Sequence, residues 1–241
     1  MKHIFDTYKL YLLSLGYEND PVVPWLLQNK NIGIDPPLLR DMQVLGYLES
    51  ALKKYPPYML GLLEPLAFVS CGAIRTLDNG EIIRYGGISI RDSVLGWDNT
   101  NLLLVANPNE DSVHHELWHA LNDGSCDADF ESVNLEFGLA YHPELTYKQI
   151  SRCGGYPIGF ASCYGAWTVN EDKATVAEKL MVGDRRFWGS LETDRALSQK
   201  SEVIIAKFAE ISGGEMDLLA FFQKIRDGEF TPDYFGWPSY R

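Results

Sequence analysis

Two histidines and a glutamate form the most informative pattern in this sequence, His115-Glu116-Leu-Trp-His119. On an α-helix, residues four apart lie one above the other, roughly 6 Å apart across one turn. Two imidazoles at this spacing can bind one tetrahedral zinc ion, each at about 2.0–2.1 Å. Glu116 lies about 100° further round the helix, so its carboxylate can reach a water on the metal without being a ligand. The spacing therefore predicts two zinc ligands and a general base.

The residues around this pattern favour a helix with two different faces. The apolar residues fall on one stripe, formed by Val113, Leu117, Ala120 and Leu121. The two histidines face nearly the opposite way, as a metal-binding helix packed on a core requires. The alternative is a chance pairing of two histidines on a half-buried helix. Because two histidines do not complete a zinc site, a third ligand further along the chain distinguishes the two interpretations.

Glu171 is the preferred third ligand. The segment 171–182 predicts a helix whose core stripe consists of Val176, Ala177, Leu180 and Met181, with Glu171 on the other face. Asp172 is turned about 100° from Glu171 and fits less well. His142 is a weaker candidate, because it precedes a proline in a loop. The structural alternative is that the acidic pair only favours a helix N-terminus through the helix dipole.

Taken together, the histidine pattern and the segment 160–178 resemble the gluzincin metallopeptidases. The likeness is to the lethal-factor-like group and to the bacterial zinc-binding metallopeptidases related to it. Those proteins carry a serine–tyrosine element, an asparagine-containing turn and then an acidic helix that supplies a glutamate ligand. The resemblance implies that His115, His119 and Glu171 bind zinc and that Glu116 is the general base.

The resemblance also implies a role for Tyr164, seven residues before Glu171. Lethal-factor-like enzymes place a tyrosine here that assists at the oxyanion or the leaving group. The structural alternative is a buried tyrosine with a satisfied hydroxyl. One position departs from the family pattern: relatives have an acid four residues after the ligand glutamate, where this chain has Thr175. Glu178 or Asp123 could instead supply the carboxylate that orients a metal-binding histidine.

Strand patterns precede the histidine helix, and helical patterns follow it. Apolar or alternating runs at 66–70, 82–83, 87–90 and 102–106 predict a small twisted, mostly antiparallel sheet. Helical spacing predicts helices over 38–52, 126–141, 171–182, 194–211 and 215–226. With the resemblance, the expected fold class is α+β and zincin-like, with the sheet packed on the metal-binding helix and a helical C-terminal half. We expect a single domain over 1–241, in which 1–36 form an N-terminal helical extension.

The segment Gly87-Ile88-Ser89 is a candidate substrate-binding strand. A glycine pair, Gly86-Gly87, opens this run of alternating residues. Glycine in a strand marks either a β-bulge or a close backbone approach. The functional interpretation is that the edge of the sheet accepts an extended peptide as an added strand.

Charge and composition exclude several classes of partner. The chain of 241 residues has a formal net charge of −12 and a sequence pI near 4.8. An acidic surface repels phosphate backbones and anionic lipid, which argues against nucleic acid and membrane surfaces as partners. No run approaches the 18 apolar residues of a membrane span. As written, the chain is expected to be soluble and cytoplasmic, and a secreted protein whose export signal had been removed would have the same sequence.

The four cysteines form no metal-binding or redox motif, because none of them is spaced as C-x-x-C. Cys153 and Cys163 could form a disulfide in an oxidising compartment, but free buried thiols are the preferred interpretation.

The function that these patterns favour is a zinc-dependent hydrolysis of peptide bonds, with a peptide or protein as substrate. One alternative is a zinc-stabilised binding or regulatory domain that has lost turnover. Another is a zinc amidase that acts on a non-peptide substrate. The sequence leaves the oligomeric state open.

Overall fold

The computed structural model describes residues 10–13, 33–35, 41–63, 66–69, 72–76, 82–85, 87–94, 97–105, 109–122, 126–150, 157–216 and 220–229. Contacts divide the chain into two compact units, Met1–Leu121 and Asn122–Arg241, and each is described by itself. The expectation of a single domain over 1–241 stays a prediction.

The first unit contains strands that form two sheets. The described strands are β1 (Leu10–Leu13), β2 (Gly33–Asp35), β3 (Leu66–Val69), β4 (Gly72–Thr76), β5 (Ile82–Tyr85), β6 (Gly87–Val94) and β7 (Trp97–Val105). The larger sheet has the strand order β1-β3-β7-β6, and the smaller has the order β2-β4-β5. In the larger sheet β1 and β7 each pair parallel with β3, whereas β6 pairs antiparallel with β7. Both pairings of the smaller sheet are antiparallel.

The expected fold class, an α+β zincin-like domain with one small, mostly antiparallel sheet, is wrong. Among the residues whose side chains the structure describes, the regular elements are helical and none is a strand. The strand backbones form two sheets instead of one, and two of the three pairings in the larger sheet are parallel. Parallel neighbours are joined by long connections. A pairing such as Leu66 with Asn101 therefore leaves no signal in the local sequence.

The predicted N-terminal helical extension over 1–36 is wrong where the structure describes it. Leu10–Leu13 forms β1 and pairs with β3, and Gly33–Asp35 forms β2 and pairs with β4. The rest of this predicted segment lies outside the described residues. Short apolar runs are compatible with either a helix or a strand, and here pairing with a distant partner decides between them.

The helices of the first unit are α1 (Asp41–Leu52), α2 (Pro57–Gly61) and α3 (Glu110–Leu121). The helix predicted over 38–52 is confirmed in α1, and Pro56-Pro57 follows its end as expected of a helix stop. α3 packs against α1, β6 and β7. The described core of this unit consists of buried side chains of the helices and the segments between them: Leu48, Ala51, Leu52, Tyr55, Met59, Leu60, Leu63, Val113, Leu117 and Trp118.

The second unit is helical in the residues that the structure describes. Its elements are α4 (Asp127–Phe137), α5 (Tyr147–Ile150), a 3₁₀ turn (Tyr164–Ala166), α6 (Val169–Val182), α7 (Arg185–Ser190), α8 (Arg195–Ile211) and α9 (Ala220–Asp227). α6 is central, because α4, α7, α8, α9 and the 3₁₀ turn all pack against it. These helices confirm the predicted ones with two differences: α4 ends four residues before position 141, and residues 215–216 of the helix predicted over 215–226 form a bend before α9. None of the described helices is both long and apolar enough to cross a bilayer.

Gly183 ends α6 in a conformation that other residues rarely adopt. Its φ of 75° is left-handed, and its N–H bonds back to the carbonyl of Lys179. A Cβ at this position would lie 2.8 Å from the carbonyl oxygen of Ile225 in α9. The glycine therefore allows both the end of α6 and its close approach to α9.

We expect Gly183→Ala to lower the free energy of unfolding by about 1–3 kcal/mol, because it adds backbone strain and a contact with α9. Gly189→Ala is the matched control. Gly189 lies inside α7, and an added Cβ would meet no described atom within 4 Å, so this change is expected to be neutral or stabilising by about 0.5–1 kcal/mol. Urea unfolding of the two variants measures the difference. Equal stability would contradict the role given to Gly183.

Candidate metal centre

α3 carries the candidate zinc-binding pair, and its position is determined by its core face. Ser112 N–H donates to Asn109 Oδ1 over 2.8 Å, which satisfies a free donor of the first turn. Val113, Leu117 and Trp118 are fully buried. The predicted helix is therefore confirmed, with Val113 and Leu117 of the predicted stripe in the core of the first unit and Ala120 and Leu121 half-buried.

His115 and His119 face each other across one turn of α3. Their Nε2 atoms are 3.2 Å apart, and their rings meet edge to face with centroids 4.8 Å apart and an interplanar angle of 76°. Two nitrogens that each lie about 2.0–2.1 Å from a tetrahedral ion are roughly 3.3–3.4 Å apart. The pair therefore has the separation that one tetrahedral metal ion requires. A hydrogen bond between the two rings would have a similar separation.

Glu171, in the second unit, is the candidate for the third ligand. Two histidines and one glutamate, with a further coordination position open, are a donor set of catalytic zinc sites. The chemistry of these three residues therefore fits zinc. The weaker candidate, His142, has an exposed side chain, and its Nδ1 lies 3.2 Å from Glu144 Oε1.

Glu171 lies in the first turn of α6. The helix begins at Val169, two residues earlier than predicted, and Thr168 is its N-cap. Thr168 Oγ1 accepts a hydrogen bond from the backbone N–H of Glu171 over 3.3 Å. Asp172, the weaker candidate ligand, is fully buried and bonds to Lys200 of α8. The two consecutive acids therefore differ in environment, because Asp172 is buried and paired with Lys200 whereas Glu171 is half-buried.

Asp172 and Lys200 form a fully buried ion pair between α6 and α8. Asp172 Oδ2 accepts a hydrogen bond from Lys200 Nζ over 2.6 Å and one from the Tyr141 hydroxyl over 3.0 Å. Burial raises the pKa of Asp172 to about 6, although Lys200 and Tyr141 act in the opposite direction. Burial also lowers the pKa of Lys200, against the attraction of Asp172. Removing one partner of such a pair typically costs about 3–5 kcal/mol, because the other charge stays buried and unpaired.

Tyr164 begins the 3₁₀ turn that packs on α6. It is half-buried, and its ring lies against an apolar cluster built on Ile150, Phe160 and Ala166. The next residue, Gly165, brings the turn close to the helix: a Cβ there would lie 2.7 Å from Thr175 Oγ1. The structure therefore places Tyr164 directly before α6, and its proposed role in catalysis stays a prediction.

Thr175, the position at which the sequence departs from the gluzincin pattern, is bonded within its own helix. It is buried under Gly165, and its hydroxyl donates to the carbonyl of Asp172 over 3.0 Å within the same helix. Glu178, one of the two substitutes considered, pairs with Lys179 at 2.6 Å. Asp123, the other, lies outside the described residues. The carboxylate that would orient a metal-binding histidine stays unassigned.

Sequence reasoning missed His114, which is fully buried beside the candidate ligand His115. Its Nδ1 lies 2.8 Å from the Tyr55 hydroxyl, and its Nε2 lies 3.4 Å from Glu110 Oε1. Burial is the main cause that lowers the pKa of His114. The Glu110–His114 spacing of one helical turn is the sequence signal that could have pointed to this network.

The predicted substrate-binding strand lies in β6. Gly87, Ile88 and Ser89 pair with Val105, Leu104 and Leu103 of β7. β6 is the last strand of its sheet in the described topology, and the described pairing of β6 with β7 has a register irregularity between Asp92 and Val94. Peptide binding at these residues stays a prediction.

The expectation of free thiols is right for Cys126 and wrong for Cys163. Cys126 is free and buried, and burial raises the pKa of its thiol. Cys163 is disulfide-bonded. A disulfide requires two Cα atoms to approach within about 7 Å, which spacing along the chain does not reveal.

Comparison with known proteins gives one informative likeness. The sequence matches no protein-family model and no curated protein. The structure is similar to the crystal structure of a "putative zinc-binding metallo-peptidase" from Bacteroides caccae, with a TM-score of 0.54 over 97% of this chain and 93% of that chain. The two sequences are 14% identical, so the similarity shows a shared fold alone.

The hydrogen bonds and charges around Glu110 make the stability of the folded chain depend on pH. Burial opposes ionisation of Glu110, but hydrogen bonds from His114 and Lys54 lower its pKa to about 2. The folded chain therefore favours the ionised carboxylate of Glu110. The resulting stabilisation of the folded state is complete at pH values above the ordinary pKa of about 4.5. This contribution is lost as the pH falls from about 5 towards 2.

We therefore expect the stability difference between wild type and Glu110→Gln to be largest near neutral pH and to shrink as the pH falls from about 5 to 2. Urea unfolding at a series of pH values measures this difference. Glu136→Gln, at an exposed position of α4, is the control, since exposed charges contribute little. A Glu110→Gln difference that is independent of pH would contradict the assignment.

Proposed function

We propose that this protein is a zinc-dependent peptidase that hydrolyses a peptide or protein substrate. The proposal depends on one observation: the Nε2 atoms of His115 and His119 lie 3.2 Å apart across one turn of α3, the separation that one tetrahedral ion requires. Glu171 is proposed as the third ligand. Glu116, the residue that a metallopeptidase of this pattern uses as general base, follows His115 on the same helix. The zinc-binding metallo-peptidase description of the Bacteroides caccae protein supports the same class.

Zinc bound by these three residues would act as a Lewis acid that lowers the pKa of a water towards about 7 and polarises a carbonyl group. Glu116 is the proton carrier of the proposal. Its carboxylate accepts a proton from the attacking water and later delivers it to the leaving amine. The side chain is buried, with 5% of the residue's surface exposed, which limits exchange of the proton with bulk solvent.

Tyr164 is proposed to donate a hydrogen bond to the developing oxyanion, a contribution of roughly 2–4 kcal/mol by analogy with other oxyanion donors. The close fit of Gly165 against Thr175 holds the turn that carries this tyrosine. The backbone of Gly87, Ile88 and Ser89 is proposed to bind the substrate as an added strand, since β6 lies at the edge of the described sheet.

Thr175 favours a second candidate function, a zinc-stabilised binding domain without turnover. Its hydroxyl is committed to the carbonyl of Asp172, so it does not supply the outer-shell acid that relatives place there. Outer-shell partners raise metal affinity and activity by about 10–100-fold. Zinc binding without hydrolysis of a broad peptide library would favour this candidate over the peptidase.

We expect one zinc ion per chain in the wild type, and loss or strong weakening of zinc binding in His115→Ala and Glu171→Ala, because each removes one of three protein ligands. Metal analysis after reconstitution and dialysis provides the measurement. His142→Ala, which truncates an exposed histidine, is the matched control and should retain zinc. A wild type that takes up no zinc would refute the proposal.

Glu116→Gln tests the general base separately from the metal. We expect this variant to bind zinc normally and to hydrolyse peptides about 10²–10⁴-fold more slowly, because the amide cannot accept the proton. Cleavage of a peptide library by zinc-loaded protein measures the rate. Glu202→Gln, at an exposed position of α8, is the control. Wild-type cleavage by Glu116→Gln would rule out the assigned base.

A further inference from the structure

Lys200 joins three segments of the second unit at one buried ammonium group. Its Nζ donates to Asp172 Oδ2 of α6 over 2.6 Å and to the carbonyl oxygen of Gly159 over 2.8 Å. The ring of Phe160 covers the same group, with its centroid 4.0 Å from Nζ. An ammonium removed from water requires such partners, so the contacts fix α6 and the loop 157–163 relative to α8.

The N-terminus of α8 holds the same loop at a second point. Asp194 is the N-cap of α8, and its Oδ2 accepts a hydrogen bond from the N–H of Gly159 over 2.6 Å. Both backbone polar groups of Gly159 are thus bonded to α8, one at Asp194 and one at Lys200. The loop leads directly into the 3₁₀ turn that begins at Tyr164.

In the part of the chain that the structure describes, the Asp172–Lys200 pair leaves one of its buried polar atoms unsatisfied. Oδ1 of Asp172 is buried without a hydrogen-bond partner among the described residues. Desolvation offsets much of the attraction in a buried ion pair, so apolar residues of similar volume often serve stability equally well. In some proteins such pairs instead specify one arrangement of the elements that they join.

We propose that the Asp172–Lys200 pair is a positioning device for the zinc site, which sets the rotation of α6 and thereby the direction of Glu171. Glu171 and Asp172 are consecutive, so their side chains point about 100° apart around the axis of α6. Fixing the side chain of Asp172 therefore fixes the direction in which Glu171 points. The hydroxyl of Tyr141 adds a further contact to Asp172 over 3.0 Å. The inference rests on the proposed function, because it takes Glu171 as a zinc ligand.

The test compares wild type with Asp172→Asn/Lys200→Met, which removes both charges and leaves neither one unpaired. We expect its thermal midpoint to stay within about 5 °C of wild type, its zinc dissociation constant to rise at least about tenfold, and the visible spectrum of its cobalt-substituted form to change. Chelator competition measures zinc affinity without any activity assay. Lys207→Met/Glu210→Gln removes another ion pair of α8 and should leave the affinity and the spectrum unchanged.

Wild-type zinc affinity and cobalt spectrum in a folded Asp172→Asn/Lys200→Met variant would overturn the inference while leaving the proposed function intact. Absence of zinc from the wild type, or unchanged affinity in Glu171→Ala, would remove the proposed function and the inference with it. If the double variant does not fold, Tyr141→Phe replaces it, since this change removes a hydrogen bond to Asp172 but no charge. The inference then requires a zinc dissociation constant raised several-fold, and an unchanged value would overturn it.

Discussion

The second unit depends on one physical constraint, which is that charges removed from water must be paired. α6 carries two consecutive charged residues, Asp172 and Lys173, that are both fully buried. Asp172 pairs with Lys200 of α8, and Lys173 pairs with Asp127 at the start of α4. Since an unpaired charge inside a protein costs several kcal/mol, α4 and α8 must adopt positions that supply these partners. The packing around α6 is therefore specified by polar contacts as well as by its apolar side chains.

The same constraint acts on the helix that carries the histidine pair. His114 is fully buried, so both of its ring nitrogens lie near polar groups, the Tyr55 hydroxyl and the Glu110 carboxylate. Tyr55 follows the end of α1, and Lys54 binds Glu110. In each unit, a residue adjacent to a proposed ligand is thus held by buried polar partners. Under the proposed function, these contacts restrict the directions in which His115 and Glu171 can point.

Residues close in sequence account for most of what could be predicted. The spacing of His115 and His119, and the position of Glu171 at the start of a helix, followed from helical periodicity and a resemblance to gluzincin peptidases. The sheet was predicted incorrectly, because β1, β3 and β7 pair in parallel across long stretches of chain and the runs that form them are also compatible with other pairings. The state of Cys163 was missed for a similar reason, since a disulfide depends on distance in space.

By itself, the sequence determined the two helices that carry the proposed ligands, the spacing of the histidines on one of them, and the helical character of the C-terminal half. These features depend on side chains three or four residues apart, whose relation is encoded locally. Only the tertiary structure decided which neighbours these helices have. The Tyr55–His114 contact spans 59 residues and the Asp172–Lys200 pair spans 28, and packing selects such partners because it must satisfy each buried polar group at the point where it is buried.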